Sequence, residues 1–176
     1  MGGPSRKIKS LLDILSDKFL KCYSPGQELS VDEGMVKYKG RAKGKVHMPN
    51  KPVKVGFKIW CCSCSCCGYL CTFQVYHGRP IDPLMGEKVS EKGLTMRVVS
   101  DLTAPFEGLN HVVYCDNYFT SGPLVEMLAK KKIFLAGNVF PKQMDSKVAR
   151  VQPDGVLRYQ SVPPLLPAYN KYMCGV

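Results

Sequence analysis

The chain reads as an α/β domain, a mixed sheet with helices packed against it. Three observations carry this. Its elements run helix, three strands, helix, strand, helix, strand, and three sequential strands followed by crossover connections imply a mixed sheet. Its 176 residues fit one domain, so residues 1–176 are expected to form a single unit. Apolar residues make up 45% and charged residues 22%, enough for a packed core, which excludes disordered and collagen-like chains.

Each element has its own signal. Ile8, Leu11, Leu12, Leu15 and Phe19 recur at helical spacing, with Lys7, Ser10, Asp13 and Asp17 off the stripe, so residues 7–20 predict an amphipathic helix. Ser24-Pro25-Gly26 breaks it. Leu29, Val31 and Met35 then alternate in a strand from about Glu28 to Tyr38, which contains Asp32 and Glu33. Pro49-Asn50-Lys51-Pro52 is a turn before the alternating Val53, Val55, Phe57 and Ile59, and Gly68 separates that run from a third, Tyr69 to Tyr76. Glu91 to Thr103 predicts a helix despite Gly93. His111 to Cys115 is a short strand with Asp116 and Asn117 at its end. Thr120 or Ser121 can cap a helix from Pro123 that buries Leu124, Val125 and Leu128, and Ile133 to Val139 is a further strand. Residues 140–176 read as a loop-rich tail with at most a short strand at Val156 to Tyr159.

The formal net charge is +11, so polyanions are natural partners and nucleic acid is the first expectation. An anionic membrane surface, or solubility alone, remains the alternative. Lys37, Lys39, Arg41, Lys43 and Lys45 stand at every second position. Such a series reads either as a solvated hairpin or as a ribbon facing phosphates. No apolar stretch reaches the roughly 18 residues of a membrane span, and no secretory signal is expected at the amino terminus.

Nine cysteines include six between residues 61 and 71: Cys61, Cys62, Cys64, Cys66, Cys67 and Cys71. A disulfide framework does not fit a chain without a secretory signal. Zinc would want two separated ligand pairs, and strand geometry sends neighbouring side chains to opposite faces. Core-lining thiols are the favoured reading, with a zinc module as the competitor. His47, His77 and His111 show no ligand spacing, and no triad or phosphate-cradling glycine loop is present.

Carboxylates within apolar strands are costly to bury unless paired or bound to a cation. Asp32 and Asp116 therefore invite a divalent metal, although strand-end aspartates also cap helices and bind backbone amides. The segment from Glu28 to Arg41, with Ser30-Val31-Asp32-Glu33 at its centre, and the following Pro49-Asn50-Lys51-Pro52-Val53-Lys54 resemble the first catalytic segment of piggyBac-type transposases. Cys115-Asp116-Asn117-Tyr118-Phe119-Thr120-Ser121-Gly122-Pro123-Leu124 resembles the second, and the likeness continues through Ile59-Trp60 and Gly68-Tyr69.

That resemblance implies an RNase H-like fold and a DDD site using Mg2+ or Mn2+, with DNA cleavage and strand transfer in the nucleus. Asp32 and Asp116 would be the first two catalytic and metal-binding acids, and Lys37, Lys39, Arg41, Lys43 and Lys45 would contact DNA. DNA is the implied partner, a membrane is not, and a homodimer is left open. The family's third acid follows a Tyr-Asn…Met-Gly-Gly-Val-Asp segment, whereas these residues end at Tyr169-Asn170-Lys171-Tyr172-Met173-Cys174-Gly175-Val176. The expectation is thus an incomplete catalytic core, inactive alone, or else a DNA- or chromatin-binding module that keeps the fold without the chemistry.

Overall fold

The computed structural model describes residues 8–42, 44–78 and 90–138, with the backbone of 150–151 and 157–158. The first helix, α1, spans Lys9–Cys22. It leads through the Ser24-Pro25-Gly26 break to β1, Glu28–Lys37. A two-residue strand β2, Val46–His47, precedes β3, Val55–Cys64, and β4, Leu70–Val75. Helix α2 covers Glu91–Thr103, the bounds its sequence predicts, and the Ser90 hydroxyl caps it by accepting from the Gly93 amide at 3.1 Å. After a 3-10 turn at Ala104–Phe106 come β5, Val112–Cys115, α3, Gly122–Lys130, and β6, Phe134–Gly137. The short strand expected near Val156 is β8, Leu157–Arg158, paired with β7, Arg150–Val151. The rest of the 140–176 tail lies outside the described residues.

The expected mixed sheet is present. One edge of β3 pairs antiparallel with β1, and its other edge carries β2 at Val55–Gly56 and β4 from Ile59 to Ser63. β1 pairs in parallel with β5, and β5 in parallel with β6. The path is therefore β2-β3-β1-β5-β6, with the crossover helices α2 and α3 reached through β4 and β5.

Strand alternation divides the side chains. Leu29, Val31, Trp60, Cys62, Cys64, Val113 and Cys115 share one face and are buried with Leu94, Val98, Val99 and Leu102 of α2 and Leu124, Val125 and Leu128 of α3. This is the core. Across the sheet, α1 lays Leu12, Leu15 and Phe19 over Phe57, Ile59, Phe73 and Val75 around an apolar cavity of about 340 Å³. No residue of α1 is fully buried, and Ile8, Leu11, Ile14 and Leu20 remain exposed. The stripe that predicts the helix is therefore only partly used for packing. Because α1 packs against β4, it does not cover the β1–β5 half of that face among the described residues.

Candidate functional site

The ladder between β1 and β5 runs Leu29–Val113, Ser30–Tyr114, Val31–Cys115. Asp32 and Asp116 are the next residue on each strand. Parallel register thus brings them to adjacent positions on one sheet face, the half that α1 does not cover. Both are exposed, which corrects the expectation that buried carboxylates demand a cation. They come together through register, and water already solvates them. Bonding to backbone amides, the alternative role for strand-end aspartates, is also partly realised, because Oδ1 of Asp32 accepts from the Glu33 amide at 2.7 Å and Oδ1 of Asp116 from the Asn117 amide at 2.5 Å.

Local structure holds Asp116 at the start of a turn. Its carbonyl accepts from the Phe119 and Thr120 amides at 3.0 and 3.1 Å and from the Thr120 hydroxyl at 2.9 Å. Thr120 is thereby committed to this turn. Ser121 occupies the N-cap position of α3, yet its side chain makes no capping bond.

Lys51 completes the surroundings. Its Nζ lies 3.1 Å from Oε1 of Glu33, and that hydrogen bond, the Glu33 charge, and the charges of Asp32 and Asp116 all raise its pKa. One ammonium thus faces three carboxylates. The same two aspartates add to the burial and the nearby Cys62 that push the Cys115 thiol up. Lys51 is absent from the alternating basic series and gives no periodic signal; its position in a turn between two prolines is its only mark.

The basic series is placed differently from a ribbon. β1 ends at Lys37, so Lys39 and Arg41 lie on a loop, both exposed, while Lys45 is half-buried and Lys43 lies outside the described residues. Strand alternation stops there and cannot align the series on one face. Lys37 and Lys39 instead line a groove with Tyr38, Pro52 and Lys54, a lysine outside the series. Lys37 is five residues along β1 from Asp32, or roughly 17 Å. Further on, Lys58 lies 5.6 Å from the Trp60 ring centre and 5.0 Å from that of Tyr118, two residues beyond Asp116.

The cysteines divide. Cys62, Cys64, Cys71 and Cys115 are buried, as core thiols should be, but Cys66 and Cys67 are exposed on the turn after β3. Among the described residues no group of three or more His, Cys, Asp or Glu side chains is arranged to hold a metal.

Residues 2–155 match the transposase family described as Transposase IS4. The chain belongs to the piggyBac-type transposase family. Its similarity to human piggyBac transposable element-derived protein 3 is 31% identity over 139 residues, 79% of this chain and 23% of that protein. To human piggyBac transposable element-derived protein 2 it is 31% over 136 residues, 76% of this chain and 22% of the other. A solved piggyBac transposase, in a synaptic complex with hairpin DNA, superposes with TM-score 0.68 at 28% identity, covering 83% of this chain and 30% of that one. The piggyBac-type chain thus has the RNase H-like catalytic fold expected of it, and spans about a quarter of the length of these curated relatives. Among the described residues no helix is long and apolar enough to cross a membrane.

Proposed function

We propose that these residues form part of a transposase-derived catalytic core that binds DNA in the nucleus, with Asp32 and Asp116 holding a divalent ion. The observation that supports this reading is the parallel register that sets the two aspartates side by side on the half of the sheet face that α1 does not cover. Mg2+ suits the donor set, since it takes one or two carboxylates and leaves its other positions to water and phosphate. Bound there, the ion would neutralise the carboxylates and activate a water for phosphodiester cleavage. Lys51 limits repulsion between the acids, and the groove of Lys37, Lys39 and Lys54 with Arg41 supplies phosphate contacts about half a turn of B-DNA away.

A second reading, a DNA- or chromatin-binding module without chemistry, is favoured by the bonds that Asp32 and Asp116 each already make to a backbone amide. The 176 residues alone should therefore bind DNA and nick it poorly, because two ligands fix the metals loosely and a misplacement of about 1 Å costs on the order of 100-fold in rate. The test compares nicking of piggyBac-type transposon ends in Mg2+ with binding across a salt series, for the wild type, Asp32→Ala and a form extended beyond Val176. Binding that weakens with salt, with nicking only in the extended form and lost on Asp32→Ala, is the expected outcome. Strong nicking by the 176 residues that Asp32→Ala abolishes overturns the inactivity. Binding that ignores salt overturns the phosphate contacts.

A further inference from the structure

The turn after β3 joins two thiols to one hydroxyl. β3 ends at Cys64, and Ser65-Cys66-Cys67-Gly68 reverses the chain, closed by the Gly68 amide on the Cys64 carbonyl at 2.8 Å and the Cys64 amide on the Tyr69 carbonyl at 2.9 Å. Gly68 has φ +73°, a left-handed conformation that glycine adopts freely. Tyr23, just past α1, packs its ring 4.4 Å from that of Tyr69. Its hydroxyl lies 3.5 Å from the Cys64 sulfur and 3.0 Å from the Cys67 sulfur. One oxygen bridges two sulfurs three residues apart.

The two sulfurs are exposed unequally. Cys64 is 1% exposed, whereas Cys67 is on the surface. The Tyr23 hydroxyl and the backbone amides of Gly26, Cys66 and Cys67 donate toward the Cys64 sulfur, and together they outweigh burial and hold its pKa down at about 6. Among the described cysteines with a shifted thiol, Cys64 alone moves down; Cys66 is held up, chiefly by the charge of Cys64. Thiolates are the nucleophiles of disulfide exchange, and backbone amides with a hydroxyl make a cradle for one. The turn that the Gly68 amide closes on the Cys64 carbonyl holds Cys64 and Cys67 within one chain reversal, and their sulfurs, at 3.5 and 3.0 Å from the same Tyr23 oxygen, lie no more than about 6.5 Å apart.

We propose that Cys64 and Cys67 are an exchange pair for small-molecule disulfides, with Cys67 as the entry thiol and Cys64 as the resolving thiolate. The Cys67 thiolate attacks one sulfur of the incoming disulfide; that S–S bond breaks, a mixed disulfide forms on Cys67, and one small thiolate leaves. The Cys64 thiolate then attacks the Cys67 sulfur, forming the Cys64–Cys67 bond and releasing the second small thiolate. The protein gives up two electrons, the small disulfide is reduced to two thiols, and the protons released from the two cysteines go to them. Closing the bond ends the bridge that Tyr23 makes between the sulfurs, so oxidation would reach α1, whose carboxyl end Tyr23 tethers.

The test uses the purified, reduced 176-residue chain in glutathione buffers of graded oxidised-to-reduced ratio. The reaction is quenched by alkylation, and tandem mass spectrometry follows the tryptic peptide 59–88, which carries all six cysteines of the cluster. In the wild type, two alkylation sites should disappear together, at Cys64 and Cys67, with little glutathione retained. Cys64→Ser should accumulate glutathione on Cys67 at least tenfold over wild type, Cys67→Ser should form no disulfide in the turn, and Cys66→Ser should behave as wild type. Tyr23→Phe should prolong the mixed disulfide several-fold while the far-ultraviolet circular dichroism stays unchanged. A disulfide that persists in Cys67→Ser, or glutathione that stays unresolved on the wild type at every ratio, overturns the proposal. If Cys64→Ser does not fold, the Cys67→Ser and Cys66→Ser pair decides alone.

Discussion

Lys51 sets how much negative charge the strand ends carry. Its ammonium is partly exposed, so the bridge to Glu33 contributes only about 0.5–1 kcal/mol. Glu33→Gln should lose that much in urea denaturation at pH 7. A raised lysine pKa gives stability that is complete below the ordinary value of 10.5 and disappears as pH rises through the raised value, so wild type and Glu33→Gln should converge in strongly alkaline buffer. At Gly56 the constraint is steric, because an added Cβ would collide with the Val36 carbonyl where β3 meets β1. Gly56→Ala should cost about 1–3 kcal/mol by the same denaturation measurement. Thiolate absorbance near 240 nm should show a group titrating at about 6 that vanishes in Cys64→Ala. Asp32 and Asp116 were legible because each sits in a motif. Lys51 and Tyr23 were not, since their roles arise only when distant segments meet.

At the level of elements, burial separates the helices. α3 places Leu124 and Leu128 wholly inside, and α1 places nothing there. Leu128→Ala should cost about 2–5 kcal/mol, against about 1 kcal/mol for the half-buried Leu12→Ala, read as shifts in denaturation midpoint at constant slope. Hydrogen exchange should likewise open α1 before α3. Periodicity exposed the long elements, α2 to its bounds, because a dozen residues carry enough pattern. β2 escaped because two residues have no period, and the turn of Cys66 and Cys67 escaped because the apolar reading of cysteine ran through it. The basic series failed as a ribbon for a related reason: alternation in sequence means one face only while the chain remains a strand.

For the whole molecule, element order implies a mixed sheet and resemblance implies an RNase H-like fold, while the strand order that inserts β1 between β3 and β5 comes from the structure. No residue pattern announces that insertion, since parallel pairing is specified by crossovers and packing rather than by neighbours. The parallel pair also has a kinetic side. Asp32 and Asp116 stand 84 positions apart in sequence, and β3, β4 and α2 must all be made before β5 can dock beside β1. Such non-local pairing is slow, because loop closure precedes any contact that rewards it. A nascent chain emerging from the ribosome therefore carries two solitary, harmless aspartates until the crossover closes, and the acidic pair comes into being only with the completed sheet.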